Sequence, residues 1–113
     1  MKAVFVELPA FERRRPDYLD DDAFRALQNL LMQHPEAGDP MQDTGGLRKL
    51  RFADARRGKG KRGGLRVIYY WWVAGLQCWL FTVYDKDEMA DLTPQQRKAL
   101  KARIKAELEA RRK

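Results

Sequence analysis

The amino-acid sequence predicts an α+β domain: an antiparallel-dominated four-stranded sheet with two N-terminal helices packed on it and a C-terminal helix. Three observations predict it. Residues 65–73 (LRVIYYWWV) and 78–84 (CWLFTVY) are β-branched and aromatic runs joined by four residues, AGLQ, as in an antiparallel hairpin. Residues 20–38 and 92–108 repeat apolar residues at helical spacing. The order strand, two helices, three strands, helix is that of an α+β sandwich. At 113 residues the chain supports one core and not two, so residues 1–113 are read as a single domain.

Taken in order, KAVFVEL (2–8) alternates and reads as a strand ending at Pro9. AFERRRPDYL (10–19) is weakly helical and should break at Pro16. Residues 20–38 form a firm helix, with Asp20 or a neighbour as cap and Phe24, Leu27, Leu30 and Leu31 on one face. Pro35 stops it, because the residue before a proline is pushed out of the helical region. GDPMQDTGG (38–46) reads as loop. LRKLRFA (47–53) alternates, with Leu50 and Phe52 on one side and Lys49 and Arg51 on the other. Both faces of the next two strands are apolar, so they belong to the middle of the sheet, under helices on at least one side. In the last helix Thr93 is the N-cap, Pro94 the first helical residue and Gln96 the partner in a capping box. Leu100, Ile104 and Leu108 then draw a narrow apolar stripe on a basic helix.

Charge is distributed more tellingly than composition. The net charge is +7, yet residues 1–44 are net acidic, whereas residues 45–84 hold nine Lys and Arg against one Asp. A self-repelling patch of that kind costs stability unless an anion visits it, which suits a nucleic-acid backbone; a merely solvated charge run is the alternative. Six cations (Arg56, Arg57, Lys59, Lys61, Arg62, Arg66) lie among four glycines in ARRGKGKRGGLR. No apolar run approaches the roughly 20 residues of a membrane span. The N-terminus lacks the features of a signal peptide. With a lone Cys78, a reducing cytoplasm is expected.

Gly58, Gly60 and Gly63 spell G-x-G-x-x-G but precede a strand, where a dinucleotide fingerprint must open a helix. Kinase signatures are missing, and Lys61 is followed by Arg62 instead of the Ser or Thr of a phosphate-binding P-loop. His34, at a helix end, reads as a structural cation, and Cys78 as core. No Cys/His cluster has metal-ligand spacing, so neither metal nor cofactor is expected. One chemistry needs none of these groups. In RNA the 2′-hydroxyl attacks its own 3′ phosphorus, and the protein has only to align the chain, neutralise the phosphorane and move protons. Like charges crowd a lysine toward its neutral form, and Lys59 and Lys61 stand beside Arg62 and Arg66, company that suits proton transfer.

TGGLRKLRFA, GKGKRGGLRVIYYW and LFTVYDKDEMADLTPQQ, in that order and after the MKAVFVEL start, resemble the RelE superfamily of bacterial toxins, particularly its HigB-like branch. The resemblance covers nearly the whole chain. It implies the toxin of a type II toxin–antitoxin system: a metal-independent mRNA interferase that enters the ribosomal 30S A site and cleaves translated mRNA. It also implies a cognate antitoxin of helix-turn-helix type, through which alone operator DNA would be touched. By the same resemblance Lys59 and Lys61 are candidates for proton transfer and phosphate contact, and Arg66 for the phosphorane clamp. Lys86 stands where many members carry arginine, and Tyr84 is the nearest substitute for their base-stacking tyrosine. Arg48, Lys49, Arg51, Arg56, Arg57 and Arg62 complete the expected RNA-binding set. One rival uses the same patch, a non-catalytic RNA- or ribosome-binding module; a further reading, compatible with the toxin, makes the patch chiefly a docking surface for an acidic antitoxin segment.

Overall fold

The computed structural model describes residues 4–53, 64–89 and 91–111. Its centre is the predicted hairpin, β4 (Leu65–Trp72) and β5 (Gln77–Asp85), with β1 (Val4–Glu7) beside β5 and β3 (Arg48–Phe52) beside β4. Among the described residues the sheet has five strands, one more than expected. A two-residue β2 (Asp39–Pro40) pairs with β3 inside the segment read as loop. Proline is tolerated there because the strand lies at the sheet edge, where no ladder N–H is required of it. The sheet is also mixed: β3, β4 and β5 are antiparallel, but β1 runs parallel to β5, Val4 opposite Gln77 through Glu7 opposite Leu80.

Helix α1 (Pro9–Tyr18) does not break at Pro16 but runs through it. The proline falls in the last turn, and tertiary contacts hold what propensity would not. Phe11 is buried, Arg15 reaches Glu7 at 2.8 Å, and its guanidinium lies 4.4 Å from the centre of the Phe24 ring. Helix α2 (Asp21–Gln33) starts as the sequence indicates: the Ala23 amide donates to Asp20 Oδ1 at 2.8 Å. Helix α3 (Pro94–Arg111) carries the reciprocal capping box, Thr93 N to Gln96 Oε1 at 2.8 Å and Gln96 N to Thr93 Oγ1 at 3.1 Å.

Because the central strands are apolar on both sides, two cores form and the helices divide between them. Phe11, Leu27 and Leu31 of α1 and α2 pack with Leu50, Val67 and Leu80 on one face. Ile104 of α3 packs with Ile68, Trp79 and Phe81 on the other, with Leu100 and Leu108 flanking it. A bulge keeps this assignment along β5. Ile68 pairs with Thr82 but Tyr69 pairs with Leu80, so Phe81 is the extra residue. Leu8 N donates to the Leu80 carbonyl as β1 ends, and α1 then takes over the edge of β5, Arg14 Nε donating to the Val83 carbonyl at 2.7 Å. The entry to β3 is a tight turn: Gly46 has φ of +118°, and the Tyr70 ring lies 2.8 Å from where a Cβ would sit.

Candidate nucleic-acid interface

The α3 face of the sheet changes character at one end. In register, Arg51 of β3 lies opposite Arg66 of β4, and Arg66 opposite Tyr84 of β5. Directly paired residues share a face, so these three side chains form a row across three strands. The adjacent row on that face is Lys49, Ile68 and Thr82. The basic segment 54–63 leaves the chain after Ala53 and returns at Gly64, which by connectivity attaches both its ends beside the first row. Lys86 follows β5 directly, is exposed, and donates its backbone N–H to the Gly64 carbonyl at 3.2 Å.

Thus Arg51, Arg66, Lys86 and, one row in, Lys49 gather at one end of the sheet. Lys59, Lys61, Arg56, Arg57 and Arg62 lie outside the described residues. Arg48 is not part of the gathering. It alternates onto the α2 face and donates to the carbonyls of Gly38 (2.8 Å) and Glu36 (3.3 Å), tying down the approach to β2. Its strand position, one residue from Lys49, hides this, because neighbours in a strand point to opposite faces.

Arg66 is only 5% exposed, and its guanidinium donates to the Leu65 carbonyl at 3.2 Å. A charge fixed in low-dielectric surroundings acts more strongly on an anion than a solvated one. Tyr84 is 1% exposed, within the core that also holds Leu92 and Ile104, and it lines a cleft of about 230 Å³ with Met89, Leu92, Gln96 and Leu100. Its ring is therefore almost wholly enclosed by protein, with little surface open to a nucleobase among the described residues. The stacking role expected of Tyr84 is not supported by this burial. Burial also pushes the phenol above its ordinary pKa, with the Asp91 charge adding to the effect and Arg66 and Arg97 opposing it. The hydroxyl thus stays neutral, and it has no hydrogen-bond partner among the described residues.

Two residues join the site that local pattern does not announce. Asp91 Oδ2 is 3.0 Å from an Arg97 guanidinium nitrogen, and its Oδ1 is 3.5 Å from Lys49 Nζ. Burial works against the carboxylate charge, but the Leu92 amide, Lys49 and Arg97 outweigh it and hold Asp91 below its ordinary range. The one available signal was the position of Arg97 a turn after Thr93; that this turn lands over β3 is a tertiary fact.

Elsewhere the candidates for other chemistries recede. Cys78 is buried and its thiol is pushed up to about 12 by that burial, far from a nucleophile's range. His34 is the C-terminal cap residue of α2, its N–H bonded to the Leu30 carbonyl. Among the described residues no three His, Cys, Asp or Glu side chains gather as a metal site would require, and no helix is long and apolar enough to cross a membrane. No protein-family model matches the chain.

Proposed function

We propose that this protein is a ribosome-dependent mRNA endoribonuclease of RelE type, HigB-like, acting as the toxin of a type II toxin–antitoxin pair in the cytoplasm. The observation that carries the reading is the Arg51–Arg66–Tyr84 row at the attachment points of the basic segment: a buried, fixed guanidinium beside an exposed one, flanked by Lys86. Such groups suffice for cleavage by the substrate's own 2′-hydroxyl. The O2′–P bond forms as the P–O5′ bond breaks, giving a 2′,3′-cyclic phosphate and a 5′-hydroxyl end. The 2′ proton leaves to a base and the O5′ leaving group gains one. In this reading Arg66 meets the charge developing on the phosphorane oxygens, Lys86 and Arg51 hold the chain, and Lys59 or Lys61 moves the protons. An antitoxin, carrying the DNA-binding half of the pair, would silence the patch.

Mapping 5′ ends of transcripts after induction tests the reading. New ends inside codons, confined to translated messages and absent with Arg66→Ala, are the expected result. Growth arrest with intact messages would favour the second reading, a non-catalytic RNA- or ribosome-binding module. The burial of Tyr84 speaks for that alternative, since it leaves no described aromatic face at the patch to position a base.

A further inference from the structure

The Asp91 carboxylate is gripped from two separate elements, Lys49 on β3 and Arg97 on α3, with one oxygen turned to each. Its own backbone neighbour fixes it further, the Leu92 N–H donating to Oδ1 at 2.8 Å. The arrangement is that of an anion in a two-cation seat. The seat is reachable from solvent: the side chains of Asp91, Arg97 and Lys49 are 47%, 29% and 21% exposed.

We infer that Lys49 and Arg97 form a seat for a backbone phosphate of single-stranded RNA, which the Asp91 carboxylate occupies until RNA displaces it. A carboxylate and a phosphodiester both offer paired oxygens to paired cations, so the two compete for the same donors. Exposed ion pairs are held weakly, whereas a polyanion gains from every counterion it releases. Displacement is thus favoured once neighbouring phosphates are bound along the Arg51–Arg66 row. Lys49 lies one row from Arg66 on the same face, so the seat extends that row toward α3. Arg97 then binds substrate, and Asp91 sets a threshold that weakly bound anions do not pass.

The identity of the anion rests on the RNA-cleaving reading above; the seat itself is tested without cleavage. The probe is a fluorescein-labelled single-stranded oligonucleotide with 2′-O-methyl riboses, which cannot be cut, titrated by anisotropy with the full chain at several salt concentrations. Asp91→Asn is expected to tighten binding by about three- to fivefold, the equivalent of one released surface pair. Arg97→Gln and, independently, Lys49→Gln are expected to weaken it and to lower the log–log salt slope by about 0.7 each, one phosphate contact on a single strand. Unchanged thermal midpoints identify variants that fold. If Asp91→Asn binds no tighter and neither cation variant moves the slope, the seat is not a phosphate site. If Asp91→Asn instead tightens only an Asp/Glu-rich peptide, the seat belongs to a protein partner and the inference is overturned. Intact messages on ribosomes alongside the expected titrations would remove the nuclease reading and leave the seat; cleavage with flat titrations would do the reverse.

Discussion

The two faces of this sheet solve different problems with the same strands. Under α1 and α2 the contacts are apolar throughout the core, from Phe11 and Leu27 to Val67 and Leu80, and the polar groups at its rim are tied to fixed partners, as Arg48 is to Gly38. Under α3 an equally apolar core of Ile68, Trp79 and Ile104 gives way within one strand repeat to Arg66, the buried Tyr84 hydroxyl and a carboxylate shared by two cations. The first face is closed by its own chemistry. On the second, the Asp91 carboxylate is shared between Lys49 and Arg97, and Arg51 and Lys86 stand exposed at its end. On the proposed function, strand alternation thus separates stability from RNA contact along β3 and β4.

That separation can be broken in order of expected effect. Arg66→Ala should lower message cleavage by ~10²–10³, the scale for removing one preorganised donor from a developing oxyanion, while circular dichroism shows the fold retained; full activity would erase the functional face. On the opposite side Leu27→Ala should cost about 2–5 kcal/mol in urea denaturation, as a buried large-to-small change does, with no change in oligonucleotide affinity of the folded fraction. Thr93→Ala removes half of the α3 capping box and should cost about 1 kcal/mol, and here the two properties should move together, because α3 carries both Ile104 and Arg97. Tyr84→Phe should leave stability within about 1 kcal/mol of the wild type or raise it, since the hydroxyl removed makes no bond among the described residues. A large loss would mean that the hydroxyl is already satisfied.

The smallest effect is electrostatic. Asp91 is lowered from 3.8 despite its burial, by the Leu92 amide, Lys49 and Arg97; Glu107 is lowered from 4.5 chiefly by its hydrogen bond to Arg111, on the same helix. A depressed carboxyl stabilises the fold fully above its unfolded value and loses that contribution as pH falls through the folded one. Thermal midpoints should therefore decline on acidification below these ordinary values, modestly, because both groups remain partly exposed to screening solvent. Asp91→Asn should remove part of that decline, and added salt should shrink the rest.

Local pattern made much of the molecule legible before any coordinates. The capping box at Thr93 and Gln96, the Asp20 cap and the β4–β5 hairpin are short-range arrangements, decided by backbone bonds a few residues apart, and each stands where the sequence puts it. Helix α1 runs through Pro16 because propensity is a weak prior that Phe11 and Arg15 override through contacts distant in sequence. β2 went unseen because two residues leave no alternation to read.

By itself, then, the sequence determined the places of the helices and of all the described strands but β2, that the central hairpin is apolar on both sides, and where the positive charge concentrates. Tertiary structure alone decided that β1 lies parallel to β5, that Tyr84 is buried, and that Asp91 meets Lys49 and Arg97 across elements 42 and 6 residues apart in the chain. The reason is one of range. Hydrogen bonds within a turn and alternation along a strand are written in adjacent residues, whereas parallel pairing and ion pairs between elements depend on how the whole chain closes around its two cores.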